Sequence, residues 1–381
     1  MHDMSTLHAS PSARKLHIDI LRLVAICGVV YMHINNISFP PINTESGYWF
    51  YLAINMCIRV AIPIFFMITG AVLLHKQEDC NTVITKRICH FLVILAACIL
   101  IQLLISTWSL HPEHYFQTLA GVTHNYLKVN DFPIAMGAHW YLFAYLAILI
   151  MLPITRTAAQ GMSNKTHLYF ISAYILTVFI LPVGLHLAGY PFHHPIHNHL
   201  PFYETVPKWS PNGGMNWIFY TIVGYYLEHR IKHENLTPKL LLFLTALSII
   251  CIAMACIMME HVRIRQGLPK IENFFFATKF TIIPAITLYL IAKYIFIRVK
   301  LSAGISNTIT KLGRAVIIVF LFENLIRKFT VPIYRELNSA LAGYGYASIY
   351  IASIIWLILV VSIGLLIGLT LQYIPGIKRF V

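Results

Sequence analysis

Ten apolar runs, most of them near twenty residues long, dominate this chain and leave it few ways to fold. They fall at roughly 18–37, 48–74, 88–108, 138–155, 168–187, 215–229, 239–259, 274–295, 313–329 and 347–371. A helix needs about 20 mostly apolar residues to cross the hydrocarbon of a bilayer, whereas a barrel strand needs about ten of alternating character. The runs here do not alternate. Inside lipid every backbone N–H and C=O must be satisfied within the protein, which leaves helix as the spanning structure. The second and tenth runs are long enough to require a tilt or kink, and the sixth is short. Only 11% of the 381 residues are charged while 58% are hydrophobic, against about 25% charged in soluble domains. The expected fold is therefore all-α, a polytopic membrane helix bundle of about ten transmembrane helices in the lipid bilayer. An N-terminal segment 1–15 and a tail 373–381 flank the membrane domain 16–372. No small-residue cleavage site follows the first run, which is expected to stay attached as a span.

A net charge of +14 would suit nucleic acid, but no basic stripe is interleaved with aromatics, so no nucleic-acid partner is expected. The charges instead report orientation. With the N-terminus in the cytoplasm, seventeen Lys and Arg fall on that side, eight on the other and three (Arg22, Arg59, Lys279) within spans. That bias places both termini in the cytoplasm. The seven cysteines are scattered with no CxxC pair, so neither a zinc site nor a disulfide framework is expected. No internal repeat of the kind common in transporters is visible. The longest outer loops are 109–137 and 188–214. The second carries His193, His194, His197 and His199, which read either as a metal-binding cluster or as a solvated loop.

An ionisable side chain at bilayer depth is costly unless partnered or wetted, so each is a functional candidate. The first run is the densest. Asp19 and Arg22 are three residues apart, on one helical face and within reach of each other. Arg22 and His33 are eleven apart, about three turns, which aligns them roughly 16 Å apart along the axis. A two-sided reaction needs such a polar face. The other reading makes Asp19 and Arg22 snorkelling residues and His33 a helix cap, followed by Asn35 and Asn36. Arg59 lies four residues before Pro63, which cannot donate to its carbonyl, so a kink is expected there. Arg59 then either satisfies that carbonyl or faces a polar cavity and binds an anion. Thr69 and Gly70 permit close helix packing. His139, Trp140 and Tyr141 open the fourth run, as an interface belt or as substrate contacts. Lys279 and Glu323 with Asn324 complete the set, Glu323 being either functional or solvated near the outer interface.

Four stretches carry a family resemblance. IDILRLVAICGVVYMH, with Arg22 and His33 at Arg-x10-His spacing, resembles the opening helix of acyltransferase family 3. RVAIPIFFMITGAVL resembles its second-helix signature, with Thr69 where Ser is usual. HWYLFAYLAILIMLPI and LGRAVIIVFLFENLI resemble its later segments, the last having Ala315 where Ser is common and Glu323 where many members have His. Among subgroups the chain looks most like the one acetylating enterobacterial common antigen. The resemblance implies a bacterial inner-membrane O-acyltransferase that moves an acyl group from cytoplasmic acetyl-CoA, or another acyl-CoA, to a glycan or lipid-linked sugar. It implies His33 as general base, with Glu323 a second base or the group that orients it. Arg22 and Arg59 would stabilise anionic donor groups or the oxyanion, with Asp19 beside them. Lys86 and Arg87, a loose match to an Arg-x-x-Arg pair, would hold donor phosphates. Asn36, Thr69, His139 and Trp140 would contact substrate. No metal or bound cofactor is implied, acyl-CoA being a substrate. The rival reading is a transporter or flippase of a lipid-linked sugar without acyl chemistry.

Overall fold

The computed structural model describes residues 15–38, 45–110, 133–181, 183–184, 215–265, 276–299 and 301–374. Helices α1 (Leu16–Ser38), α2 (Glu45–Ile58) and α3 (Ala61–Leu73) come first. Next, α4 (Cys80–Val83) runs through a π-helical turn, Ile84–Cys89, into α5 (His90–Leu110). Then come α6 (Pro133–Gly161), α7 (Asn164–Tyr174) with a second π turn at Ile175–Ile180, and α8 (Met215–His229). The chain closes with α9 (Pro238–Arg265), α10 (Ile282–Arg298), α11 (Ala303–Ala340) and α12 (Tyr346–Leu371). Among the described residues there is no strand.

Seven helical stretches among the described residues are long and apolar enough to cross a membrane. The three other expected runs are helical too, but differ in kind. α8 has only 15 residues and α7 only 11 before its π turn. α11 is 38 residues long, about 57 Å, and carries Arg314, Glu323, Arg327 and Lys328. The expected run 313–329 is the apolar middle of that helix. Its polar start is defined by Ser302, whose hydroxyl accepts from the Ile305 N–H at 3.4 Å.

Burial separates inner from outer helices. The spanning windows of α1 and of α2–α3 are 61% and 67% buried, against 17% for Cys80–Ile101 and 28% for those of α9 and α12. α1 is the hub, touching α2, α3, α10, α11 and α12. On the outer helices Leu92, Val93, Phe243, Ile358 and Leu366 are exposed. A contiguous exposed apolar surface on long helices is the face that lipid covers.

Two local features position the site. The expected kink is a full break: α2 ends at Ile58, Arg59 and Val60 turn, and α3 restarts at Ala61 with Pro63 in its first turn. α3 and α8 then pack antiparallel with backbones in contact. A Cβ on Gly70 would lie 1.7 Å from the Thr221 carbonyl oxygen, and one on Gly224 would lie 1.9 Å from that of Met67. Only glycine allows this approach.

Candidate active site

The polar face of α1 holds two stations. At the first, Asp19 is fully buried and its Oδ1 accepts from Arg22 Nη1 at 2.7 Å. Buried at zero exposure, Asp19 is no snorkelling residue. α11 comes close because position 313 is glycine; a Cβ there would meet Asp19 Cβ at 2.7 Å.

Arg22 opens onto a cavity of about 370 Å³, which also receives Thr69 from α3, Tyr141 and Tyr145 from α6, and Arg314 from α11. Phe65, Phe91 and Phe320 supply much of its apolar wall. The Thr69 hydroxyl donates to the Phe65 carbonyl at 2.9 Å and lies in hydrogen-bonding reach of Tyr141. Two guanidinium groups, two phenols and a hydroxyl in an otherwise apolar pocket suit a ligand with an anionic group and an apolar arm.

At the second station His33 Nδ1 lies 2.7 Å from Glu323 Oε1. The opposite oxygen of Glu323 accepts from Arg327 Nε at 2.6 Å. Glu323 is 2% exposed, which overturns the reading of a solvated interfacial carboxylate. Arg327 is likewise buried on α11, paired with Glu323 one turn earlier. His33 is not a cap, since α1 continues to Ser38. Among the described residues its Nε2 makes no hydrogen bond, while an ionised carboxylate can only accept. An ionised Glu323 therefore accepts from Nδ1–H, and in a neutral ring so held the lone pair is on Nε2.

The remaining expected residues are dispersed. Arg59 sits at the α2–α3 break in electrostatic reach of Tyr51 and does not line the cavity. Lys86 is exposed on the first π turn. Arg87 donates to Glu78 at 2.6 Å, and Arg156 donates to the other Glu78 oxygen at 3.0 Å. Burial alone would raise the Glu78 carboxyl, but these two arginines bring it below the usual range. Lys279 is buried beside the smaller apolar cluster that includes Phe280. The side chains of Asn36, His139 and Trp140, and the loop histidines 193–199, lie outside the described residues. Sequence reasoning missed Arg314, Tyr145 and Arg327. Arg327 had a signal, the favourable i,i+4 order of Glu323 before it.

A family model described as an acyltransferase domain matches residues 16–373. The chain belongs to acyltransferase family 3. No curated protein and no solved structure matches it. As a family 3 member the protein is a multi-pass membrane acyltransferase, which sets aside the reading as a transporter without acyl chemistry. Both α1 stations, the cavity and the Glu323 segment lie within the matched residues.

Proposed function

We propose that this acyltransferase is an O-acyltransferase of the bacterial inner membrane with both termini cytoplasmic. It moves an acyl group, acetyl by its subgroup resemblance, from acyl-CoA to a hydroxyl of a cell-envelope glycan or lipid-linked sugar. The observation that carries the reading is His33 Nδ1 held by Glu323, with no hydrogen bond to Nε2 among the described residues, on the helix face that presents Arg22 to the cavity.

The chemistry follows from those atoms. His33 Nε2 takes the acceptor hydroxyl proton as the hydroxyl oxygen bonds to the thioester carbonyl carbon. The tetrahedral intermediate collapses, the C–S bond breaks, and the imidazolium returns its proton to the thiolate. An ester and a free thiol result. Glu323 stabilises the imidazolium between these steps without taking its proton. Arg22 and Arg314 attract the anionic donor into the cavity, with Lys86 exposed nearer the α4–α5 turn. Roughly 16 Å of α1 separates Arg22 from His33, a distance for the donor's flexible arm to span.

The test is acyl-CoA consumption by the purified protein in detergent and in membranes containing envelope glycolipids. Wild type is expected to release free thiol. His33→Ala should lower that rate by a factor on the order of 10² to 10⁴, the worth of a positioned base, and Glu323→Gln should fall in the same range. A folded His33→Ala protein that turns over at the wild-type rate would overturn the reading.

A further inference from the structure

Arg327 touches both partners of the His33–Glu323 pair. Its Nε donates to Glu323 Oε2 at 2.6 Å, and its Nη2 lies 3.4 Å from Oε1. Its Nη1 donates to the backbone carbonyl of His33 at 3.4 Å. Nη2 also donates to Asn324 Oδ1 at 3.2 Å. The hydrogen bonds thus close a ring: His33 ring to Glu323, Glu323 to Arg327, and Arg327 back to the His33 backbone. The ring joins α1 to α11 across 290 positions of sequence.

We infer that Arg327 is a positioning residue for acyl transfer, acting through Glu323 to keep the His33 imidazole in the tautomer whose Nε2 is the base. The inference rests on the reading of His33 as that base. Three observations support it. The side chains of Glu323 and Arg327 are only 2% and 8% exposed, so water does not supply the missing charge. A buried carboxylate without a cation is driven to take up a proton. A protonated Glu323 could donate to Nδ1, which would reverse the hydrogen bond and put the ring proton on Nε2. The cation at Oε2 holds Glu323 as an acceptor only. Finally, the contact to the His33 carbonyl fixes where α1 presents the ring, so one side chain sets both position and tautomer. Because Glu323 and Arg327 are one turn apart on α11, their pair can form before α1 docks against it.

Among the described residues, the ionisable groups at this end include the phenols Tyr31 on α1, Tyr334 on α11, Tyr350 on α12 and Tyr51 on α2, with Arg59 beyond Tyr51, and the exposed Lys328, Arg335 and Glu336 further along α11. Phenols titrate near pH 10, ammonium and guanidinium groups at or above that, and an exposed carboxylate near pH 4, so none of these charges changes in the range where imidazole titrates.

The test compares Arg327→Gln and Arg327→Lys with wild type and His33→Ala in the acyl-CoA assay, at saturating substrates and across pH. Arg327→Gln should lower kcat by roughly 10- to 100-fold, part of the 10² to 10⁴ a positioned base supplies, with KM for acyl-CoA unchanged. The acidic limb of its kcat/KM profile should move to higher pH, because removing a cation makes the His–Glu pair easier to protonate. Arg327→Lys keeps the charge, so its acidic limb should stay at the wild-type pH and part of kcat should return. The double variant His33→Ala/Arg327→Gln should be no slower than His33→Ala alone, as for residues acting as one unit. A merely structural clamp would lower folded yield or kcat with the limb in place in both variants, and that result would overturn the inference. If Arg327→Gln does not fold, Arg327→Met, which keeps much of the side-chain volume without the charge, takes its place: a limb moved to higher pH supports the inference, and a limb at the wild-type pH overturns it. Loss of the base reading is distinguishable, because then His33→Ala itself stays active.

Discussion

Gly70→Ala adds one methyl group at the α3–α8 seam. The new Cβ would stand 1.7 Å from the Thr221 carbonyl oxygen, 2.5 Å from its carbonyl carbon and 2.9 Å from its Cα. Ordinary contact for such atoms is roughly 3.5 Å, so the helices must part by about 1.5 to 2 Å. The obstacle is backbone and cannot rotate away. One turn along, the reciprocal approach of Gly224 to the Met67 carbonyl opens with it. Overpacking typically costs about 1 to 3 kcal/mol, and backbone against backbone places this site at the upper end. Alanine's helix propensity returns about 1 kcal/mol, leaving a net loss near 2 kcal/mol, or about 2 to 3 °C in Tm for a chain of this length. Thermal unfolding in detergent, followed by thiol labelling of the buried Cys98, Cys251 and Cys256, measures it. Turnover should fall as well, because neighbouring Thr69 lines the cavity. Gly304→Ala is the control, since a Cβ there meets nothing within 4 Å. If Gly70→Ala melts and turns over like this control, the two helices do not meet backbone to backbone and the reasoning fails.

Two further outcomes follow from the Glu78 cluster and the cavity. Glu78→Gln should lower Tm at neutral pH by removing the carboxylate shared by Arg87 and Arg156. Because the folded carboxyl sits below its ordinary value, that stability is present above about pH 4.3 and is lost as pH falls below it. The gap between variant and wild type should therefore close in acid, and a gap constant with pH would refute the assignment. Arg314→Ala should raise KM for acyl-CoA about tenfold or more, as expected for losing a charge-assisted hydrogen bond, with a smaller change in kcat. Steady-state kinetics on acyl-CoA against a shorter, uncharged thioester checks it, since the uncharged donor should not notice the change.

Much of this arrangement could be read from local pattern. The Asp19–Arg22 pair and the alignment of Arg22 with His33 follow from helical period alone. The break at Arg59 follows from Pro63, which has no N–H to offer the Arg59 carbonyl. The close packing at Gly70 was visible as a small residue in an apolar run, though not its partner Thr221. What the sequence could not show are pairings across the fold. Glu323 looked interfacial because it precedes Asn324 and a basic stretch, and only the docking of α1, 290 positions away, buries it. Hydropathy also hid the true length of α11. A helix with charges facing inward averages to moderate polarity, and only its apolar middle stands out. Arg314 was passed over for the same reason. It is an exposed residue at the start of an apolar run and gains meaning only from the cavity wall that four other helices complete.

The moorings of α1 have a consequence for how turnover proceeds. Near its start, Lys15 and His17 bind Glu228 at 2.6 and 2.9 Å. Near its end, the His33 ring and backbone are held by Glu323 and Arg327, and between them Asp19 abuts Gly313. A rod tied at both ends and braced between cannot swivel or slide without breaking several buried charge contacts at once. Its two polar stations then act as fixed marks on a ruler. In the proposed reaction it is then the acyl carrier that travels between them, and reach becomes a criterion of selection. A thioester on a long flexible tether can touch both marks, whereas a compact acyl donor can occupy only one at a time.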